Sequence, residues 1–506
     1  MVNRRQFLTG ALLATVSISA CSGKQEGGSS GRFSFTYLRP TWGPATYTKN
    51  GPFEKELERR AGVSIDVQII PVIDYDTKVN TILASGDIPD VIWGSGPTSG
   101  TWRSAQDEGA FLPIDDYLDK YPAVRKAVPD SIWKMLRDDK GDTYFVPNLI
   151  WPQVPFFLYY RKDLFDKAGI AEPASLEEFQ ATLEQVKKAY PKMVPFTMGY
   201  EWHAKEIATS FGTGMFGWEP APDDPDTLAP WFMKEKEIDL YFWLQDLHKK
   251  GLLDPDYGVS KEPNFSTAKL KADKAVMAIE HWGAYTSIVT ELRTIRSDGA
   301  VSVVSPLGET AGSRAVFPVD RGFYVSAKIK DPDGFFAFLN WTLTEGSELR
   351  RWGVEGKTYK VENGTKVSLQ DAERPKSYQG PQIEPLGFIG PFSEKLDWDG
   401  MRTNFEGAGI GKDFDYIKGK FDDYTRQEYF DYRDPTVVSP TDAKKGTQLF
   451  EDNLQKVAQS TIVNHKVTRA EWAAAVEKWK RAGGNAILEE VNSLQKDKSK
   501  PEYTTG

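Results

Sequence analysis

Along the chain, aromatic rings recur beside side chains that can fork hydrogen bonds. Arg39-Pro40-Thr41-Trp42 sets an arginine near a tryptophan, Asp74-Tyr75 a carboxylate beside a tyrosine, and Asn148-Leu149-Ile150-Trp151 an amide near a tryptophan. Trp93 ends a short apolar run, and Asp320-Arg321 precedes a strand-like stretch beginning at Gly322. Tyr200-Glu201-Trp202-His203 and Glu280-His281-Trp282 repeat the carboxylate-plus-tryptophan theme. Flat rings suit the apolar C–H faces of a sugar, and carboxylates, amides and arginines suit its hydroxyl edges. The candidate ligand-binding set is Arg39, Trp42, Tyr75, Trp93, Trp151, Glu201, Trp202, Trp282 and Arg321, with Trp42, Glu201, Trp202 and Trp282 foremost. Packing competes as a role for each tryptophan, most of all for Trp93 beside a buried strand, and a surface ion pair competes for Arg321.

Catalytic patterns are poorly represented. The four histidines, His203, His248, His281 and His465, lack the paired spacing of zinc ligands, and there is no nucleophile elbow or phosphate-cradling glycine loop. A secreted glycoside hydrolase needs two carboxylates flanking a bond at a set separation. Glu201 and Glu280 are available carboxylates, but their separation is not a sequence property. No stretch completes an aspartate-rich calcium loop. Asp331-Pro332-Asp333-Gly334 reads as a helix start, and the run from Asp138 to Asp142 as a turn. The expectation is a binding protein with no catalytic residue, no metal and no cofactor.

The first residues carry an address. Arg4-Arg5 precedes an apolar run through Ala20 that ends Ile18-Ser19-Ala20-Cys21. A charged start, an apolar stretch and small residues form a signal peptide, too short to span a bilayer. Its end resembles a bacterial lipobox, in which the cysteine is lipidated. Cys21 is the only cysteine of 506 residues, so it cannot close an intramolecular disulfide. Asn3-Arg4-Arg5-Gln6-Phe7-Leu8 also resembles a twin-arginine export motif. Residues 22–31, rich in Gly, Ser and charge, read as a flexible tether. The domains expected are thus a signal peptide over 1–20 and a lipidated tether over 21–31, followed by a body of roughly 475 residues, long enough for two or more domains. Net charge is −9 with both signs interspersed, which leaves no electrostatic footprint for nucleic acid.

Apolar periodicity supplies the framework for the candidate residues. Residues 32–38 alternate like a strand; Pro52 to Gly62 has a proline start, helical spacing and a glycine stop; residues 63–70 read as a strand, 75–84 as a helix and 90–93 as a third strand. Strand–helix–strand–helix–strand predicts a parallel α/β sheet, with ligand beyond the carboxyl ends of its strands. Residues 39–51, 71–75 and 93–102 are then loops facing a common cleft. A second α/β region opens with the buried-looking strand 155–160, and the tail from Asp442 to Leu494 reads as helices broken near 464–468 and at Gly483-Gly484.

Five landmarks in order give these elements a family likeness: residues 84–92, Tyr144-Phe145-Val146-Pro147, residues 160–169, residues 335–342 and Trp352-Gly353-Val354-Glu355-Gly356-Lys357-Thr358-Tyr359. Together they resemble the family 1 extracellular solute-binding proteins, and the last resembles a segment of LipO-like lipoproteins. The resemblance implies a type II periplasmic-binding-protein fold, α/β, with two lobes, a hinge and an interlobe ligand cleft. By analogy lobe 1 takes 32–155 plus 315–380, and lobe 2 takes 156–314 plus 381–506. It also implies a monomeric, lipid-anchored extracytoplasmic protein that delivers an oligosaccharide to the membrane subunits of an ABC transporter. A peptide or another small polar solute is the alternative ligand, and a surface adhesion or scaffold lipoprotein would share the anchor without the landmarks. Trp352 and Tyr359 are assigned to packing.

Overall fold

The computed structural model describes residues 32–496, apart from 42–45, 97–99, 139, 151–154, 200, 216, 259–264, 309–310, 315–318, 363, 388–393, 426–427, 430–431 and 435–436. Cys21, the arginine pair and the tether lie outside the described residues. Among the described residues nine strands form the two larger sheets: β1 (Phe33–Thr41), β2 (Val63–Pro71), β3 (Val91–Gly94), β4 (Phe145–Ile150), β5 (Phe156–Arg161), β6 (Val194–Thr197), β7 (Ala275–His281), β8 (Val301–Val303) and β9 (Val319–Val325). The first sheet has the order β2-β1-β3-β9-β4 and the second the order β8-β5-β7-β6.

In the first sheet β1 pairs in parallel with both β2 and β3, Phe33 standing opposite Val63 and Tyr37 opposite Val91. The helix Pro52–Ala61 connects β1 to β2. Proline starts it without loss of a needed donor, and Gly62, at φ 69°, ends it by donating its N–H to the Glu58 carbonyl. The sheet is mixed rather than all parallel, because β9 returns from later in the chain and inserts antiparallel between β3 and β4. Phe35 packs on Phe335 of the helix Pro332–Leu343, ring centroids 5.2 Å apart, and that helix is capped by Asp331, which accepts from the Gly334 N–H. Asp138 accepts from the N–H groups of Lys140 and Asp142 and so closes a turn.

In the second sheet β5 is central and all its residues are buried. Successive side chains of a strand point to opposite faces. Phe156, Leu158 and Tyr160 accordingly enter one apolar cluster with the C-terminal helices, while Phe157 and Tyr159 enter another with Tyr285 and Phe405. A third cluster, drawn from residues 35–146 and 319–386, forms the core of the first sheet. The helix Gly380–Gly387 contributes Leu386 to that core. The tail folds as Pro440–Phe450, Lys456–Asn464, Arg469–Trp479 and Asn485–Gln495, with His465 in the left-handed region after the second of these and Gly483, at φ 151°, kinking the chain before the last.

Candidate functional site

Strand polarity decides which ends of the sheets meet. The carboxyl ends of β1, β2, β3 and β4 and the start of β9 share one edge of the first sheet, since Gly322 pairs with Gly94 and Val319 with Ile150. In the second sheet the start of β5 lies with the end of β7, Phe156 opposite His281, and the end of β6 runs alongside. β4 ends at Ile150 and β5 begins at Phe156, so these two edges are consecutive in the chain and are the two lips of the cleft that the solute-binding fold is expected to have.

On the first lip the register of β9 shifts on both sides of Arg321. Irregularities of this kind re-aim a side chain. The Arg321 guanidinium stands 5.6 Å from the centroid of the Trp93 ring. Gly322 permits the close strand contact behind it, because a Cβ there would lie 2.2 Å from the Val146 carbonyl oxygen.

On the second lip Phe156 is ringed by nitrogen. Its ring lies 5.0 Å from that of His203 and 5.8 Å from that of His281, and Lys205 Nζ is 4.6 Å from its centroid. Glu206 accepts the Phe156 N–H at 2.9 Å and fixes the start of the strand. His281 Nδ1 accepts from the Gly283 N–H at 3.1 Å and His203 Nδ1 from the Gly199 N–H at 3.3 Å, which puts the proton of each neutral ring on Nε2. Burial, then Lys205 and Arg321, push the His281 pKa down to about 3. Burial and then Lys205 do the same to His203, against a hydrogen bond with the Ile279 backbone. Arg321 stands on the first sheet and His281 on the second, so this repulsion is an electrostatic link between the lips. Two cations beside neutral imidazoles and aromatic rings suit a solute rich in oxygen acceptors.

The lobes meet again at the helix Gly100–Asp107. A Cβ on Gly100 would lie 2.3 Å from Cα of Ala443, in the helix Pro440–Phe450 of the second lobe.

Of the candidate residues, the structure brings Trp93 and Arg321 together. Arg39 lies inside β1 rather than in a loop, 1% exposed, donating to the Glu384 carboxylate at 2.5 Å, to the Glu384 carbonyl at 2.9 Å and to the Pro40 carbonyl at 2.9 Å. Tyr75 lies in the helix Val72–Ser85, not in a loop, and is buried, its hydroxyl donating to the Trp93 carbonyl at 2.7 Å. Trp93 itself is a strand residue, 9% exposed. Trp282 is 3% exposed and packs on Trp398 and Phe421, each at 5.1 Å, because the turn Trp282–Ala284 folds it back into the core behind His281. Glu280 is also a strand residue, and its carboxylate accepts from Ser266 and from the His281 N–H, each at 2.9 Å. Burial raises its pKa. Glu201 and Trp202 fall in a single turn before the helix Lys205–Ser210. Trp42 and Trp151 lie outside the described residues.

A family model for bacterial extracellular solute-binding proteins matches residues 42–348, more than half of the chain. The chain belongs to this family. Among curated members of known sequence, lipoprotein LipO of Bacillus subtilis is 22% identical over 95% of this chain and 96% of its own length. The polygalacturonan/rhamnogalacturonan-binding protein YtcQ of the same organism is 21% identical over the same shares. The crystal structure of the alginate-binding protein AlgQ2 without calcium ion superposes with a TM-score of 0.70 at 18% identity, covering 92% of this chain and 98% of that one. The two-lobed solute-binding-protein fold follows from these matches.

For this solute-binding protein, the sequence left Lys205, His203 and Phe156 out of the candidate set, although they frame the second lip. A lysine opening a helix and a phenylalanine opening a buried strand are ordinary in sequence. Only the approach of the two elements makes them neighbours.

Proposed function

We propose that this solute-binding protein is the exported, lipid-anchored receptor of an ABC importer and captures an oligosaccharide by closing its lobes. The observation that carries this reading is the opposed pair of lips, Trp93–Arg321 on one sheet and Phe156–His281–Lys205 on the other. A ring held against tryptophan while cations fork to its oxygen atoms is gripped from both lobes only when they close, so ligand favours the closed state by its differential affinity. The names of YtcQ and AlgQ2 as glycan-binding relatives support an oligosaccharide, and the name of LipO supports a lipid on Cys21. The protein binds without turnover: Glu280 is held by Ser266 and the backbone, which leaves it poorly placed to act as one of a hydrolytic pair.

A panel of neutral and uronic-acid oligosaccharides, read by thermal shift and by product analysis, tests the reading. At ligand 100-fold above Kd the folded state gains about 2.7 kcal/mol, a clear rise in melting temperature. No shift with any glycan would overturn the oligosaccharide, and sustained cleavage would overturn binding without turnover. Replacing Cys21 with alanine should release the protein from the membrane fraction.

A further inference from the structure

The second lobe contains a cavity of about 350 Å³, a size typical of small-ligand sites. The hairpin of Trp218–Pro220 with Leu228–Pro230 brings Trp218 and Trp231 to it, and the helix Arg469–Trp479 adds Trp479. Arg433 lies on another wall with its guanidinium 5.7 Å from the Trp218 ring centroid, its segment fixed by the Tyr432 N–H donating to the Trp218 carbonyl. The helix Pro440–Phe450 lines the cavity with Asp442 and Gly446. A Cβ on Gly446 would lie 1.9 Å from Asp442 Oδ1, so glycine there leaves the carboxylate its room.

The Asp442 carboxylate accepts a hydrogen bond from no described residue, and burial raises its pKa while Arg433 opposes the rise. Half-buried, this carboxylate is open to donors that a ligand would bring. We propose that this cavity is a subsite for one neutral pyranose ring, whose hydroxyls donate to Asp442 and accept from Arg433 while its C–H faces lie along the tryptophans. This rests on the reading of the protein as an oligosaccharide receptor. The ring is neutral because a uronate would bring a second carboxylate against Asp442.

The position fits an extension of the interlobe cleft. Ala443, next to Asp442, is the residue that Gly100 of the first lobe meets. The strand Glu428–Tyr429, just before Arg433, pairs with Ser313–Arg314 in the crossing from β8 to β9. A ligand longer than the lips therefore has a second place to dock near both the β8–β9 crossing and the Gly100–Ala443 contact.

The test is calorimetry with cello-, manno-, galacto- and galacturono-oligosaccharides of two to six rings, on the wild-type mature chain and on Asp442→Asn and Trp218→Ala. Asp442→Asn preserves shape where loss of the tryptophan could unfold the lobe, and melting curves identify folded variants. For a series that the wild type binds, the subsite predicts at least tenfold weaker binding of the longer members by Asp442→Asn, with the disaccharide of that series changed less than twofold. Equal affinities at every length, a loss independent of length, or a gain by Asp442→Asn on galacturono-oligosaccharides would overturn the subsite. Those outcomes leave oligosaccharide capture standing; failure of the wild type to bind any member overturns both.

Discussion

Arg321 and His281 stand on different sheets, yet after burial and Lys205 the charge of the arginine also helps hold the imidazole neutral. Arg321 also covers Trp93 at 5.6 Å, so one side chain joins the aromatic ring of the first lip to the ionisation of the second. Arginine over tryptophan contributes about 0.5–2 kcal/mol, depending on how dry the pair is. A ligand that excludes water raises that value.

Replacing Arg321 with glutamine should weaken oligosaccharide binding by about tenfold, equivalent to about 1.4 kcal/mol. The melting temperature of the free protein should move by no more than about 2 °C, since the residue is half-buried at a sheet edge. Calorimetry and thermal melts separate the two effects. An unchanged affinity would remove Arg321 from the site.

The histidines make stability depend on pH. An unfolded histidine has a pKa near 6.5, whereas His203 and His281 are held down to about 3 in the fold. Between those values the unfolded chain binds more protons. The contribution of each ring is complete above pH 6.5 and is lost as pH falls toward 3, by up to about 1.4 kcal/mol per pH unit. Denaturant midpoints across this window should fall for the wild type and fall less steeply for His281→Asn.

Gly100 meets Ala443 with no room for a side chain. Valine at position 100 should hold the lobes apart, seen as a larger radius of gyration by X-ray scattering with ligand present and as weaker binding. Its helix has only eight residues and lies at the lobe boundary, so the cores should melt as in the wild type.

Arg39 is buried with Glu384 as its carboxylate partner, and that partner is itself 28% exposed. Removing one member of a buried pair costs about 3–5 kcal/mol. The partial exposure of Glu384 lets water replace some of its contribution, so Glu384→Ala should destabilise by about 2–3 kcal/mol in urea titrations. Arg39→Met, which removes the buried charge and keeps the bulk, should cost less.

Much of the fold was legible along the chain because it depends on local pattern. Alternation marked β1 and β2, a proline and a glycine bracketed the helix Pro52–Ala61, and the unbroken apolar run marked β5 as buried on both faces. The breaks near residues 464–468 and at 483–484 were likewise signalled by composition, and the ordered landmarks carried the family. The family resemblance already returned residues 315–380 to lobe 1, but the place of β9 between β3 and β4 was invisible, since strand order depends on contacts between residues far apart in the chain.

The site divides along the same line. Residue types by themselves placed rings and hydrogen-bonding groups near strand ends, and local pattern put Trp42, Glu201, Trp202 and Trp282 foremost while weighing packing for Trp93 and an ion pair for Arg321. Tertiary structure decided where each of them sits. It buried Arg39 against Glu384, turned Tyr75 toward the Trp93 carbonyl and folded Trp282 behind His281, while bringing Lys205 and His203 around Phe156. A side chain's chemistry is local, but its burial, its charge neighbours and its pKa belong to the elements packed around it.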